Sequence, residues 1–227
     1  MKSNSAPNCP VLLCHQPRRK APRLLLLLAT LVWAVLVSTG MWWLWGYENA
    51  PGAAAMSPNK WPSNSRIQLA SNVPTLVMLA HPHCPCSRAS IGELARIMTH
   101  SQGKMEAYVL FTTLAGSAEN WGKTDLWQSA AQIPGVRVVK DAGAIEARMF
   151  NAATSGQTVL YNTQGQLLFS GGITGSRGHF GDNAGQSAII AIVNAQVPKL
   201  TETAVFGCAL FDPPSECKVP HDERNKH

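Results

Sequence analysis

Two histidines and two cysteines lie close together in the middle of the chain: His81, His83, Cys84 and Cys86. A cysteine thiolate attacks disulfides and also binds soft metal ions. A disulfide across one intervening residue closes a small ring, and the strain makes such a bond labile and oxidising. A protonated imidazole lowers the pKa of a neighbouring thiol, whereas a neutral one can join thiolates around copper(I) or zinc. The group therefore indicates thiol–disulfide exchange or soft-metal binding, and the third alternative is a catalytically silent domain that only docks partners.

The residues around this group predict a strand, a turn and a helix. Residues 76–80 form a short apolar run that is typical of a buried strand. Apolar residues then return at the spacing of one helical face, at Ile91, Leu94, Ala95 and Met98. We therefore expect a helix over residues 85–100, with Pro85 at its first position and Cys84 at its N-terminus. Free backbone N–H groups and the helix dipole would stabilise a thiolate at that point.

Polar residues on the first turns of that helix have two expected roles. We expect Ser87, Ser90 and Glu93 to be solvated or to cap the helix. Arg88 is a candidate neighbour of the thiols, where its positive charge would favour a thiolate.

Residues 81–94 read His-Pro-His-Cys-Pro-Cys-Ser-Arg-Ala-Ser-Ile-Gly-Glu-Leu and resemble the membrane-anchored thioredoxin-like proteins called RedB. The wider likeness to thioredoxins covers roughly residues 70–195. It implies an α/β thioredoxin-like fold, with a central mixed sheet flanked by helices, and thiol–disulfide oxidoreductase activity without a cofactor. In that activity Cys84 attacks the disulfide of a protein or small molecule, and its partner Cys86, or Cys208, resolves the mixed disulfide.

Two departures from the thioredoxin pattern lead to an alternative hypothesis. Thioredoxins space their cysteines as Cys-x-x-Cys, whereas this pair is Cys-x-Cys. Residues 154–157 stand where thioredoxins place a cis-proline that keeps metals away from the thiols. SCO-type copper-delivery proteins combine a thioredoxin fold and two cysteines with a distant histidine. By that likeness the chain would be a copper(I)-binding or delivery module with ligands among Cys84, Cys86, His81, His83 and His179.

The other four cysteines lie outside this segment. Outside the cytoplasm, two neighbouring cysteines such as Cys208 and Cys217 tend to pair, which predicts a structural disulfide. The alternative makes Cys208 a resolving partner for the cysteines described above. Cys9 and Cys14 lie in a basic, proline-bearing tail and are expected to be unpaired thiols.

An uncharged apolar run over residues 24–46 predicts a transmembrane helix, since roughly 20 such residues cross a bilayer. Basic residues at 18–20 and at 23 precede it, so the N-terminus is expected in the cytoplasm. The far end carries an aromatic belt of Trp42, Trp43, Trp45 and Tyr47. A cleavable signal peptide ending near Ala55 is the alternative, but its apolar core is usually only about 7–15 residues long. We therefore predict a single-pass signal-anchor in the cytoplasmic (inner) membrane, with the C-terminal domain outside, in the periplasm.

The distribution of charge argues against nucleic-acid binding. Five of the 19 basic residues precede Leu24 and no acidic residue does, so the rest of the chain is close to neutral. The expected partners are therefore the membrane, through the apolar helix, and protein or small-molecule thiols and disulfides.

The domain organisation follows from the same patterns. We predict a cytoplasmic basic tail (1–23), a transmembrane helix (24–46), a linker (47–72), a thioredoxin-like domain (73–200) and a cysteine-containing C-terminal extension (201–227). The order of elements in the domain is βαβαβαββα. The predicted strands are 75–80, 105–112, 136–140, 158–162 and 166–170, and the predicted helices are 85–100, 117–132, 142–151 and 186–197.

Overall fold

A computed structural model describes residues 21–53, 55–113 and 124–211. The chain divides into two compact units, residues 1–45 and 46–227. The described part of the first unit belongs to helix α1, Ala21–Asn49, whose side chains are exposed. Within it, the 28 residues Pro22–Asn49 are long and apolar enough to cross a membrane by length and composition. The helix contains the whole of the apolar run at 24–46, and the basic residues at 18–20 lie outside the described residues.

The second unit is built on a five-stranded mixed sheet in the order β3-β2-β1-β4-β5. Its strands are β1 Thr75–Ala80, β2 Glu106–Thr113, β3 Val136–Ala142, β4 Gln157–Tyr161 and β5 Leu167–Gly171. Strands β1, β2 and β3 run parallel, and β4 runs antiparallel to both β1 and β5. Every residue of the central strand β1 is buried, which explains why it is continuously apolar rather than alternating.

Helices cover both faces of the sheet. They are α2 Ser87–Ser101, α3 Asp125–Ala131, α4 Ile145–Met149 and α5 Ala184–Val193. Alternate residues of β1 enter two separate cores: Leu76 and Met78 pack with side chains of α2, α3 and α5, whereas Val77 and Leu79 pack with side chains of α4. The order of elements and the mixed sheet confirm the predicted α/β thioredoxin-like fold.

Several helix boundaries differ from the prediction, and the first part of the helix predicted at 117–132 lies outside the described residues. Helix α2 begins at Ser87 rather than Pro85, because the N–H groups of residues 87–89 bond to carbonyls three residues earlier and form tight turns. Strand β3 continues to Ala142, and α4 begins only at Ile145, because Gly143 and Ala144 adopt left-handed conformations. Helix α5 begins at Ala184, after an Asn183 cap, and ends at Val193.

Segments on both sides of the predicted domain contribute to its core. Trp61, in the predicted linker, packs edge-on against Phe150 and Tyr161 with ring centroids 5.2 and 5.3 Å away. Leu210, in the predicted C-terminal extension, is buried in the same cluster. The core of the second unit therefore includes side chains from outside residues 73–200.

Candidate functional site

Three thiols meet at the end of strand β1. The Sγ atoms of Cys84, Cys86 and Cys208 all lie within 4.8 Å of one another. The Sγ atoms of Cys84 and Cys208 are 2.9 Å apart, and all three residues are free cysteines. Cys86 and, as the alternative, Cys208 were the predicted partners of Cys84, and the structure brings all three thiols together.

The turn that carries Cys84 is held by its own backbone and by one distant serine. The Cys84 N–H donates to the His81 carbonyl at 3.1 Å, and the Ser87 N–H donates to the Cys84 carbonyl at 3.1 Å. Ser155 Oγ accepts a bond from the His81 N–H at 2.8 Å and lies 2.7 Å from Ser87 Oγ. Ser155 therefore fixes the turn at both ends.

Ser155 belongs to residues 154–157, the stretch in which the likeness to thioredoxins implied the place of a cis-proline loop. The Gly156 N–H donates to the Leu79 carbonyl at 2.7 Å, which joins this loop to strand β1. Gly156 has φ +92°, a left-handed conformation that glycine tolerates best, and a Cβ there would lie 2.9 Å from Ser90 Oγ. The buried Ser155 thus holds this loop against the turn through hydrogen bonds.

The chain after α5 brings Cys208 to the site by strand-like pairing. The Ser155 N–H donates to the Cys208 carbonyl at 2.8 Å, and the Leu210 N–H donates to the Ala153 carbonyl at 2.9 Å. These bonds surround an antiparallel bridge between Thr154 and Ala209. Cys217 lies outside the described residues, so its predicted disulfide with Cys208 stays a prediction.

Cys84 is the thiol that ionises most readily. Its side chain is buried, with 1% of the residue exposed, and burial raises the pKa. Hydrogen bonds from the Cys208 thiol and backbone and from Ser87 outweigh burial and leave the pKa of Cys84 below its ordinary value. The hydrogen-bond donors that stabilise the thiolate therefore come from Ser87, after the turn, and from the paired segment that carries Cys208.

The two other thiols stay protonated. Burial, together with the adjacent Cys84, raises the pKa of Cys208 to about 12 and raises the pKa of Cys86 above its ordinary value. The Arg177 guanidinium acts in the opposite direction on both thiols, and it also donates to the Gly207 carbonyl. The site therefore holds one thiol that ionises more readily than a free cysteine and two that ionise less readily.

In the part of the chain that the structure describes, the cluster of three thiols includes no histidine. His83 is exposed, and its N–H donates to Nδ1 of the half-buried His81 at 3.2 Å. His179 is exposed in the loop before α5. Among the described residues, the ligand atoms that gather within 4.8 Å belong to the three cysteines, and no histidine joins them.

Other polar residues of α2 have roles that differ from those expected. Ser87, Ser90 and Glu93 are buried rather than solvated. Glu93 accepts a bond from the Gly181 N–H at 2.8 Å and so holds the loop that carries Arg177. Arg88 pairs with exposed Asp125 and lowers the pKa of that carboxyl.

Sequence reasoning missed Ser155 and Arg177. Both lie more than 60 positions from the cysteines of the turn, and each stands in a stretch of small residues without a motif. Only one signal was present: a serine, which can accept and donate hydrogen bonds, at the place of an expected proline.

No family model matches the chain, and no curated protein matches it in sequence. Among solved structures, an uncharacterized conserved protein from Geobacillus kaustophilus is 14% identical with a TM-score of 0.54, over 74% of this chain and 93% of that one. A hypothetical protein, SMc02350 from Sinorhizobium meliloti 1021, is 17% identical with a TM-score of 0.50, over 71% and 93%. The exposed lipoprotein thioredoxin Etrx1 from Streptococcus pneumoniae strain TIGR4 is 13% identical with a TM-score of 0.37, over 55% and 86%. The first two likenesses extend to the fold of this chain and no further.

Proposed function

We propose that this protein carries out thiol–disulfide exchange, with Cys84 as the attacking thiolate and Cys208 as the cysteine that resolves the mixed disulfide. The observation that carries the proposal is the 2.9 Å separation of the two Sγ atoms. The lowered pKa of Cys84 supports it, because the thiolate is the nucleophile in this reaction.

The reaction has two displacement steps. The Cys84 thiolate attacks one sulfur of the substrate disulfide, and the electron pair of the broken bond leaves on the other sulfur, which takes up a proton. Cys208, after losing its proton, then attacks Cys84 Sγ and releases the second substrate thiolate. The products are a reduced substrate and a Cys84–Cys208 disulfide, and the reverse sequence oxidises a dithiol.

Cys208 suits the resolving role better than Cys86. A Cys84–Cys86 disulfide would span one residue and reach preferred disulfide geometry with difficulty. Cys208 approaches from a separate segment and is free of that constraint, and its Sγ already lies 2.9 Å from Cys84 Sγ. Cys86, the partner implied by the likeness to thioredoxins, is the alternative for the experiment to decide.

The experiment treats the reduced full-length chain in detergent micelles with a small linear disulfide, blocks free thiols and maps the products by mass spectrometry. We expect a Cys84–Cys208 pair in the wild type and a trapped Cys84–substrate adduct in Cys208→Ser. Cys86→Ser is the matched control, in which the Cys84–Cys208 pair still forms. Unchanged exchange in Cys84→Ser would reject the proposal, and a Cys84–Cys86 pair that turns over in Cys208→Ser would assign resolution to Cys86.

We also propose that helix α1 anchors the protein in the cytoplasmic membrane with the thiol domain on the outer side. Its length and apolar composition support a span, and the basic residues before it support an N-terminus in the cytoplasm. An extracytoplasmic compartment is oxidising, so it suits a protein that exchanges disulfides.

Copper(I) binding is a second candidate function, favoured by the three Sγ atoms within 4.8 Å of one another. Thiolates are the ligands that copper(I) prefers. The ligand set would be Cys84, Cys86 and Cys208, in place of the set with histidines that the sequence suggested. Binding would displace the protons of the two neutral thiols, so the affinity would rise with pH.

A titration separates the two ligand sets. The reduced full-length chain is titrated with copper(I) against a competing chelator. One-to-one binding that weakens in Cys208→Ser and is unchanged in His179→Ala supports the three-cysteine set. Loss of tight binding in His179→Ala would favour the histidine-containing set, and absence of tight binding in the wild type rejects this candidate.

A further inference from the structure

The segment of residues 205–210 covers the nucleophile. It runs antiparallel to residues 153–155 and is fixed there by backbone hydrogen bonds on both sides of the Thr154–Ala209 bridge. Its cysteine sulfur lies 2.9 Å from Cys84 Sγ, and Cys84 is only 1% exposed. A partner chain in a mixed disulfide with Cys84 would need its own cysteine at this position.

The pairing imposes a steric requirement one residue before the cysteine. A Cβ built on Gly207 would lie 1.9 Å from the carbonyl oxygen of Ser155, which is backbone and cannot rotate away. Any side chain at this position would push the segment off residues 153–155. Only glycine therefore permits an antiparallel strand to lie this close while its cysteine reaches Cys84.

A second requirement lies two residues after the cysteine. Leu210 is buried among the apolar side chains beneath α4, including Ala147 and Phe150. Ala209, between Cys208 and Leu210, is exposed, so its burial does not restrict the residue type at this position. The segment thus presents the pattern Gly-Cys-x-apolar to the edge formed by residues 153–155.

We infer that this edge is a docking site for an extended polypeptide of the pattern Gly-Cys-x-apolar, and that residues 205–210 are a tethered occupant that such a partner displaces. The inference rests on the proposed function, since the docked cysteine is the one that Cys84 attacks. It names the substrate class: a protein segment with glycine directly before its reactive cysteine. The tethered segment excludes other chains until it is released.

The test uses a peptide with the sequence of residues 205–211 whose cysteine carries a 2-thiopyridyl disulfide. The Cys84 thiolate attacks the peptide sulfur, and the electron pair leaves on 2-thiopyridone, which is followed by its absorbance. The matched control peptide has valine in place of glycine. The protein is the full-length Cys208→Ser chain in detergent micelles, and mass spectrometry confirms that the adduct forms on Cys84.

We expect the glycine peptide to react at least tenfold faster than the valine peptide. The reaction with a small 2-thiopyridyl disulfide that carries no peptide measures the intrinsic rate of Cys84. Adding Gly207→Val to Cys208→Ser should speed the reaction of the glycine peptide several-fold, because the tethered segment can no longer seat. The comparison of peptides in Cys208→Ser stands even if the double variant folds poorly.

The outcomes separate this inference from the proposed function. Equal rates for the two peptides, with normal reaction of the small disulfide, overturn the docking inference alone. Failure of Cys84 to react even with the small disulfide overturns the proposed function as well. A glycine preference that persists when Cys84 is replaced by serine places the reaction on another cysteine and also overturns the inference.

Discussion

Cys208 Sγ lies 2.9 Å from Cys84 Sγ although 124 positions separate the two residues in the chain. Within this contact the Cys208 thiol acts as the hydrogen-bond donor that lowers the pKa of Cys84, and Cys84 in turn raises the pKa of Cys208. The contact therefore separates the two thiols into a nucleophile and a proton donor. That division is what the first step of disulfide exchange requires.

The pKa of Cys84 should be measurable from its alkylation rate. Because hydrogen bonds favour the thiolate, the rate should reach half its maximum below the roughly 8.5 of a free cysteine. Cys208→Ala removes one donor, so its midpoint should move to higher pH. Iodoacetamide labelling of Cys84 against pH, read by mass spectrometry, checks this, and a wild-type midpoint at or above the free value contradicts it.

Arg177→Gln should slow resolution more than attack. The guanidinium lowers the pKa of Cys208, so its loss reduces the fraction of Cys208 thiolate, by about tenfold for each unit of pKa. Quenching the reaction at successive times should show the Cys84–substrate adduct accumulating, and Arg177→Lys should restore part of the rate. Arg88→Gln is the matched control, because Arg88 pairs with exposed Asp125. Equal slowing in both variants would exclude a specific role for Arg177.

Ser155→Ala should destabilise the reduced protein by about 1–3 kcal/mol, since it removes the hydroxyl that accepts from the His81 N–H and that forms a buried hydrogen bond with the Ser87 hydroxyl. Urea unfolding of the full-length chain, followed by circular dichroism, measures the loss. Ser129→Ala, which removes an exposed hydrogen bond within α3, serves as control and should change stability by less than about 0.5 kcal/mol. The same small change at position 155 would show that the two bonds contribute little.

The topology can be read from a reporter fused after His227. Because basic residues precede the apolar helix, the reporter should be active only outside the cytoplasm, and the mature protein should keep residues 1–46. N-terminal sequencing of the membrane fraction provides the second readout. Soluble protein that starts near residue 56 would show a cleaved signal peptide instead.

Local patterns were sufficient to predict most of the fold. The apolar run before Cys84 predicted β1, because a strand buried on both faces is apolar at successive positions. The helical spacing after it predicted α2, because a helix buried on one face repeats its apolar residues at that spacing. The helix start was wrong by two residues because Pro85 also fits a tight turn that precedes a helix. The left-handed conformation of Ala144, which moves the start of α4 to Ile145, could not be predicted from the sequence, because alanine rarely adopts it.

The site was only partly predictable, because its remaining members come from distant segments. Cys84 and Cys86 are separated by one residue in the chain, and their chemistry could be inferred from residue type alone. The placement of Cys208 depends on pairing with residues 153–155, and the placement of Arg177 depends on a loop held by Glu93. Such long-range pairings are decided by tertiary packing and leave no periodicity in one sequence.

Glu93 links the segment that carries Cys84 and Cys86 to the loop that carries Arg177. It lies on α2, the helix that follows Cys84 and Cys86, and its buried carboxylate holds the Gly181 N–H of the loop that includes Arg177. A small rotation or slide of α2 would therefore carry that loop with it. Arg177 should thus keep its position relative to the thiols, and its effect on their pKa values, during small thermal motions of the helix.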